Sequence, residues 1–538
     1  MIKKIISENY KRIIYFFCFL YIAFLPASTE IFWETDVRTN SLRDFLGIVI
    51  ALIILMHYGR EDYLRHRKPL AIWAVSGLFP AVFTYFIPFR DAPFHNDRAV
   101  MAMDVYVFGF AAVMLVCAVF LDKRRSRFDM RAYVIFSLML LWACISHSDK
   151  QWPFFYLVLF GCLYLVDFTK EELEILFFGA TDALTAGFFL LQGASCMFRP
   201  WSPANSGTGI RYSGLFMDCI PYGAYISTLS IAVFARIVYS RRKNSSAFIR
   251  TFWYLLFGVE ISVIIYTGTR AAWVAVFLQA TAAIILYFSH TGIKKGILCP
   301  IALLLSVVIM FYPTFAALRY LPAVFHHTVW FRDNYSESSI HSDADWNDPR
   351  YVTFEQATST SRSRINATID HISKVLGITI EADAMTPDKT PLLEKKDYGD
   401  YRVNIWMYYL KYQNILGHST GALDIQMRTN SFFQTGAMNV FLQYSTDFGI
   451  PFIVMYLIMF VVGAIRLFRS ALKSNNASTV ALFMVLNLLG LGMFDYLNMY
   501  FYIHETFVFL HGLRRTKEKI QKLKLCRKSD IMIGNESL

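Results

Sequence analysis

The chain has 538 residues, 56% of them hydrophobic and only 17% charged, with a mean hydropathy of +0.40. This excludes an ordinary soluble globular domain, which carries about 25% charged residues and no succession of long apolar runs. The formal net charge of +12 does not indicate a nucleic-acid binder either, because the excess is spread over short loops and the C-terminal tail instead of gathering on one polar domain.

In chain order, apolar stretches occupy residues 13–33, 44–58, 69–88, 100–121, 132–147, 153–168, 174–197, 214–236, 251–267, 271–290, 297–316, 446–465, 479–494 and 499–513. A bilayer core is crossed by about 20 helical residues rising about 1.5 Å each. The pattern therefore predicts an all-α polytopic membrane protein of about 12–14 spans. The first stretch follows Lys11 and Arg12 without a small-residue cleavage site and reads as a retained span. Basic residues fall in alternate loops: Arg60, Arg65, Arg67 and Lys68; Lys123, Arg124, Arg125 and Arg127; Arg236, Arg241, Arg242 and Lys243; Lys294 and Lys295; Arg466, Arg469 and Lys473. By the positive-inside rule both termini are expected in the cytoplasm, with the loop near Lys170, rich in Glu, as the exception. The eight cysteines are scattered singly, with no CxxC pair, so no zinc or disulfide framework is expected.

Four regions follow: an N-terminal transmembrane bundle (1–317), a large extracytoplasmic loop (318–435), C-terminal transmembrane helices (436–513) and a basic cytoplasmic tail (514–538). A second external loop, RPWSPANSGTGIRYS at 199–213, has the Pro and Gly content of a structured turn. In the large loop, apolar residues at three-and-four spacing predict a helix over 401–416 that is opened by Arg402 and capped by Gly417.

Several residues stand out chemically. Arg270, in TGTRAAWVAV, sits at the outer end of a span, where a guanidinium must snorkel, pair or face a wet cavity. In GAMNVFLQYSTDFGIPFI (436–453), Asn439 and Gln443 stand at i,i+4 spacing with Asp447 one turn on, which predicts a polar face on a helix entering the membrane. The acidic group Asp343, Asp345, Asn347 and Asp348 lacks the glycine and terminal Glu of an EF-hand. His326 and His327 lack a third metal ligand at useful spacing. The acceptor-type triplet Asn366, Ala367, Thr368 is a pattern frequent by chance. Trp330, Trp346 and Trp406 have the aromatic surface to stack on sugar rings, although interfacial anchoring is the commoner use of such residues.

Taken in order, RYSGLFMDCIPYGAY, TGTRAAWVAVF, RVNIWMYYLKYQNILGHSTGA and NVFLQYSTDFGIPFIVMYLIMF resemble the O-antigen ligase and O-antigen polymerase superfamily over about residues 199–510. The resemblance implies a GT-C-like, metal-independent, inverting glycosyltransferase without a cofactor. Its donor would be a glycan on undecaprenyl diphosphate, and its acceptor a glycan, a lipid A core or a protein. It would act at the outer face of the inner membrane in making O-antigen, capsule or exopolysaccharide. By motif, Arg270 and Arg402 match the family's functional arginines, and Arg211 is the next candidate in the upstream loop. Arginine suits the task because it is always ionised and grips phosphate with two parallel donors. Where ligases of the family carry histidine before Asn-x-x-Leu-Gln, this chain has Met438, which cannot take a proton. His418 is the nearest substitute and Asp447 the second; the change favours polymerase over ligase. A flippase or exporter of lipid-linked oligosaccharide, a protein-glycosylating oligosaccharyltransferase and a non-catalytic assembly scaffold are the alternatives.

Overall fold

The computed structural model describes residues 170–198, 202–203, 210–216, 219–292, 296–325, 353–376, 398–418, 437 and 439–494, with short stretches between residues 10 and 146. Numbered in chain order, its helices are α1 (Lys170–Phe198), α2 (Cys219–Arg242), α3 (Ala247–Thr267), α4 (Arg270–Thr291), α5 (Leu298–Phe325), α6 (Phe354–Leu376), α7 (Tyr398–Lys411), α8 (Val440–Phe448), α9 (Ile450–Leu472) and α10 (Asn476–Phe494). Among the described residues, seven helices, α1 to α5, α9 and α10, are long and apolar enough to cross a membrane. The chain is a multi-pass helical membrane protein. The spans expected at 13–33, 44–58, 69–88, 100–121, 132–147, 153–168 and 499–513 lie wholly or mostly outside the described residues.

The central helix is α2, with 89% of its apolar stretch buried against protein, whereas α5 buries 28% and presents the rest outward. Close approach between helices rests on small residues, since apolar side chains gain little by leaving lipid for protein. A Cβ on Gly258 would lie 2.2 Å from the Ser306 carbonyl oxygen, which locks α3 against α5, and one on Gly490 would lie 2.4 Å from the Ala275 Cα, which locks α10 against α4. A buried polar knot ties α2, α4 and α10 together: Gln279 Nε2 donates to Asn487 Oδ1 (2.9 Å), and Asn487 Nδ2 donates to Thr228 Oγ1 (2.8 Å).

Several boundaries differ from the sequence expectation; the span expected over 214–236 is α2, Cys219–Arg242. The span expected over 446–465 is two helices, α8 and α9, because Gly449 adopts φ 88° and Pro451 in the first turn of α9 has no N–H to continue the ladder. The helix expected over 401–416 runs from Tyr398 to Lys411 instead. Arg402 therefore lies inside it rather than at its start, and Gly417 (φ 74°) is not its cap but belongs to a separate turn. Helix α5 continues through Phe325, past the boundary expected at 317.

Candidate anion-binding site

The site begins with the C-terminal end of α3. The last carbonyls of a helix have no partner within it and must find donors elsewhere. Here Gly268 turns left-handed (φ 63°) and returns its N–H to Ile265 O at 2.9 Å. The remaining acceptors are met from two distant segments. Ser361 Oγ on α6 donates to Ile265 O, and the Tyr212 N–H donates to Tyr266 O at 3.1 Å. Arg211 Nε donates to Thr267 O at 2.7 Å, and Arg364 Nη1 on α6 donates to Gly268 O. A Cβ at Gly268 would lie 3.3 Å from Arg211 Nε and 3.8 Å from Arg364 Nη1, so the two guanidinium groups are neighbours across one turn. The negative end of the α3 dipole favours both cations there.

Capping does not use up the donors of Arg211. Arg211 is only 4% exposed, and its Nη2 is buried with no hydrogen-bond partner. Such an orphan donor costs about 1–3 kcal/mol, more on a charged group. Directly after the turn, α4 starts at Arg270, whose N-cap Thr269 gives its side chain to Cys219 O (3.0 Å) and makes no cap hydrogen bond to the helix. The first N–H groups of α4 thus face the same turn, and a helix N-terminus favours an anion. Arg270 itself is exposed. Nearby, burial, with Tyr222 and Cys196 adding to it, holds the Tyr212 hydroxyl well above its ordinary range, so it stays protonated. It accepts from Gln192 Nε2 at 2.8 Å.

The other residues singled out in the sequence form a second group around α8. Asn439 is not on the helix face with Gln443; it is the N-cap, and its side chain accepts from the N–H groups of Phe441 and Leu442. Its Nδ2 donates to Met493 O at 3.2 Å, placing the start of α8 against the end of α10. Since Gly490 lies on Ala275, this is the same end of the bundle as Arg270. Gln443, buried, accepts from the Ala437 N–H (2.9 Å) and donates to both oxygens of Asp447 (3.2 Å each). His418 lies in the turn that α7 leads into; its N–H donates to Thr446 O (2.8 Å), and its Nε2 is 2.6 Å from Tyr412 O and 3.3 Å from Asn414 Nδ2. The shorter contact, to a carbonyl, requires a proton on Nε2 and leaves Nδ1 as the lone pair when the ring is neutral. Helix α7 carries Arg402 in its backbone, but that side chain lies outside the described residues, as do Trp330, Trp346 and Met438.

The structure thus brings Arg211 against the turn that precedes Arg270 and adds Arg364, which sequence reasoning missed. The signal for Arg364 was slight: a serine- and arginine-rich helix, STSRSRIN, whose partner lies 96 residues away. Fixed guanidinium groups in a water-poor site can hold an oxyanion, above all a phosphate or diphosphate, with paired charge-assisted bonds. Comparison with family models, with curated proteins and with solved structures gives no match to this chain.

Proposed function

We propose that this protein is a membrane glycosyltransferase of the O-antigen ligase and polymerase type, transferring or polymerising glycan carried on undecaprenyl diphosphate at the outer face of the membrane. The observation that carries the reading is Arg211, a buried guanidinium with an unpartnered Nη2, beside Arg364 and at the N-terminus of α4. In the transfer, an acceptor hydroxyl attacks the anomeric carbon, the bond from that carbon to the diphosphate oxygen breaks, and the lipid diphosphate leaves with the bonding electrons. Arg211, Arg364 and Arg270 stabilise the charge that grows on it, the kind of preorganised contribution that removes about 3–4 kcal/mol per donor from a barrier. Arg402, by motif, is the fourth cation. The hydroxyl proton passes to His418, whose Nε2–H bond to Tyr412 O keeps Nδ1 basic and oriented, or to Asp447.

One observation favours the transport reading. Glu260, wholly buried in α3, has neither carboxyl oxygen bonded, and ionisable groups within spans mark ion or proton paths in transporters. A single assay separates the two. Purified protein receives lipid-diphosphate-linked repeat units with EDTA present, in parallel with Arg211→Ala, Arg270→Ala and Arg402→Ala. The proposal expects a ladder of longer lipid-linked chains, or one adduct when an acceptor is added, and its loss in the variants. Labelled lipid crossing the bilayer with no product would replace it with transport.

A further inference from the structure

Helix α7 and the turn after it carry apolar residues where a water-facing loop would carry polar ones. One face of α7 packs inward: Ile405 and Tyr409 are fully buried with Ala437, against Leu442 of α8. The opposite face presents Met407 and Leu410 at 62% and 51% exposure, and the turn adds Ile415 at 63%. A short helix that is apolar on both faces is not stable facing water.

The position of the turn identifies what covers that face. Asn414 O accepts from the Ile450 N–H (3.1 Å), and Gln413 Nε2 donates to Ser445 Oγ (2.6 Å). Gly417 and Gly449 approach so closely that a Cβ on Gly449 would lie 1.9 Å from Ile415 O. Ile415 is therefore fixed at the level where α9 starts. From that level α9 presents an outward stripe at helical spacing, Ile450, Val454, Ile458 and Val461, all 42–52% exposed and, in a membrane span, facing lipid. The apolar patch on α7 and its turn is continuous with this stripe.

We infer that the α7 face and the 412–416 turn dip into the lipid leaflet at the Thr267 end of the bundle, forming an interfacial anchor rather than part of a water-facing loop. Amphipathic helices at this depth bury their apolar side chains at the boundary of headgroups and acyl chains. The exposed Lys411, 5.7 Å from the Tyr412 ring centroid, lies on the same face and can snorkel to a lipid phosphate. The consequence is that Arg402, on the same helix, is held at the level of lipid headgroups. The anchor depends only on the membrane architecture and does not require the glycosyltransferase reading.

The test uses the full chain in lipid nanodiscs. The photoreactive residue p-benzoylphenylalanine replaces Leu410 or Ile415, with Asn366, exposed on α6, as the control. Irradiation is expected to give lipid adducts at both sites at least about tenfold above the control, as for side chains in the apolar boundary. Adducts no more frequent than at the control would overturn the anchor, and so would cross-links confined to the chain itself, which assign the face to another segment. A second measurement needs no substitution. Hydroxyl-radical footprinting of the unaltered protein should leave Met407 protected in nanodiscs; oxidation at the rate of a free methionyl peptide in the same sample would equally sink the inference.

Discussion

Arginines cluster at both ends of the helix bundle, and the two clusters differ in what they leave over. At the Arg242 end the guanidinium groups are tied to protein groups. Arg242 gives Nη2 to Ala471 O (2.7 Å), Nη1 to Asn476 Oδ1 and Thr479 Oγ1 (3.1 Å each) and Nε to His290 Nε2 (2.9 Å). Arg236 pairs with Asp182, which also takes Arg12 at 2.7 Å, and its Cζ lies 4.5 Å from the Phe178 ring centroid; its buried Nε has no hydrogen-bond partner, but the charge is met by the carboxylate. This end is a clasp between helices. At the Thr267 end, Arg211 caps α3 through Nε and keeps Nη2 buried and unpartnered. An arginine paired with a carboxylate has its charge met within the fold, whereas the buried Nη2 of Arg211, without a partner, costs stability that a bound anion would recover.

The largest effect expected from this contrast is on Arg211. Arg211→Met keeps the volume and removes the buried charge. Glycosyl transfer should fall by about 100-fold or more, the usual loss when one donor to a developing oxyanion is removed. The melting temperature in detergent should stay level or rise, because replacing an incompletely paired buried charge by an apolar side chain is neutral or stabilising. A variant that loses both stability and activity would make Arg211 another clasp residue and dissolve the contrast.

The opposite behaviour is expected at the other end. Asp182→Ala strands Arg236, which is 8% exposed, and should cost about 3 kcal/mol, the low end for a broken buried pair since Asp182 is partly open to solvent. Thermal unfolding measures it. The double variant Asp182→Ala with Arg236→Met should recover much of the loss, because the charge still left without Asp182, on Arg12, is exposed to solvent. If the double variant is no more stable than the single one, the ion pair is not the source of the effect.

How far the sequence could be read differs between the same two regions. Periodicity and length place α1, α3 and α4 within about four residues at each end, because a long apolar run has one reading in a bilayer, whereas α2 is displaced toward Arg242 and α5 runs on to Phe325. Arg211 and Arg270 were visible as cations beside spans. Arg364 was not, because its significance is a contact with the Gly268 carbonyl far away in sequence. Nor was the break at Gly449 visible. Gly449 and Pro451 alone do not require a break, since both residue types are tolerated within membrane helices; the backbone of the 414–417 turn, so close that neither Gly417 nor Gly449 tolerates a Cβ, adds the tertiary part. Apolar content alone ran α8 and α9 together, and a glycine suited to capping was assigned to α7 when it serves that docking instead.

That docking gives the third test. Gly417→Ala would place a Cβ 2.2 Å from Asp447 O at a φ of 74°, so the turn must shift or detach. The expected cost is about 2 kcal/mol, the range for a non-glycine residue forced into a left-handed position. Because the turn carries His418, activity should fall along with it. Faster proteolysis within 412–418 would report the detachment directly; an unchanged cleavage pattern with full activity would show that the turn does not hold the site.

The smallest effect decides whether Asn439 belongs to the site or to the scaffold. Its Oδ1 receives two backbone N–H groups at 3.0 and 3.1 Å, so Asn439→Ala should lower stability by about 1 kcal/mol, the usual cost of a lost N-cap. Asp and Ser cap nearly as well as Asn, whereas neither reproduces its Nδ2 donor to Met493 O. Comparing Asn439→Asp with Asn439→Ala therefore separates the two roles. If capping is what matters, the aspartate variant recovers melting temperature and activity together. Should Asn439 contact the substrate, the melting temperature returns while activity stays low, since a second negative charge near a diphosphate repels it. In that case the cationic turn and the start of α8 form one continuous substrate site, and the division into two groups of residues gives way to a single cavity at this end of the bundle.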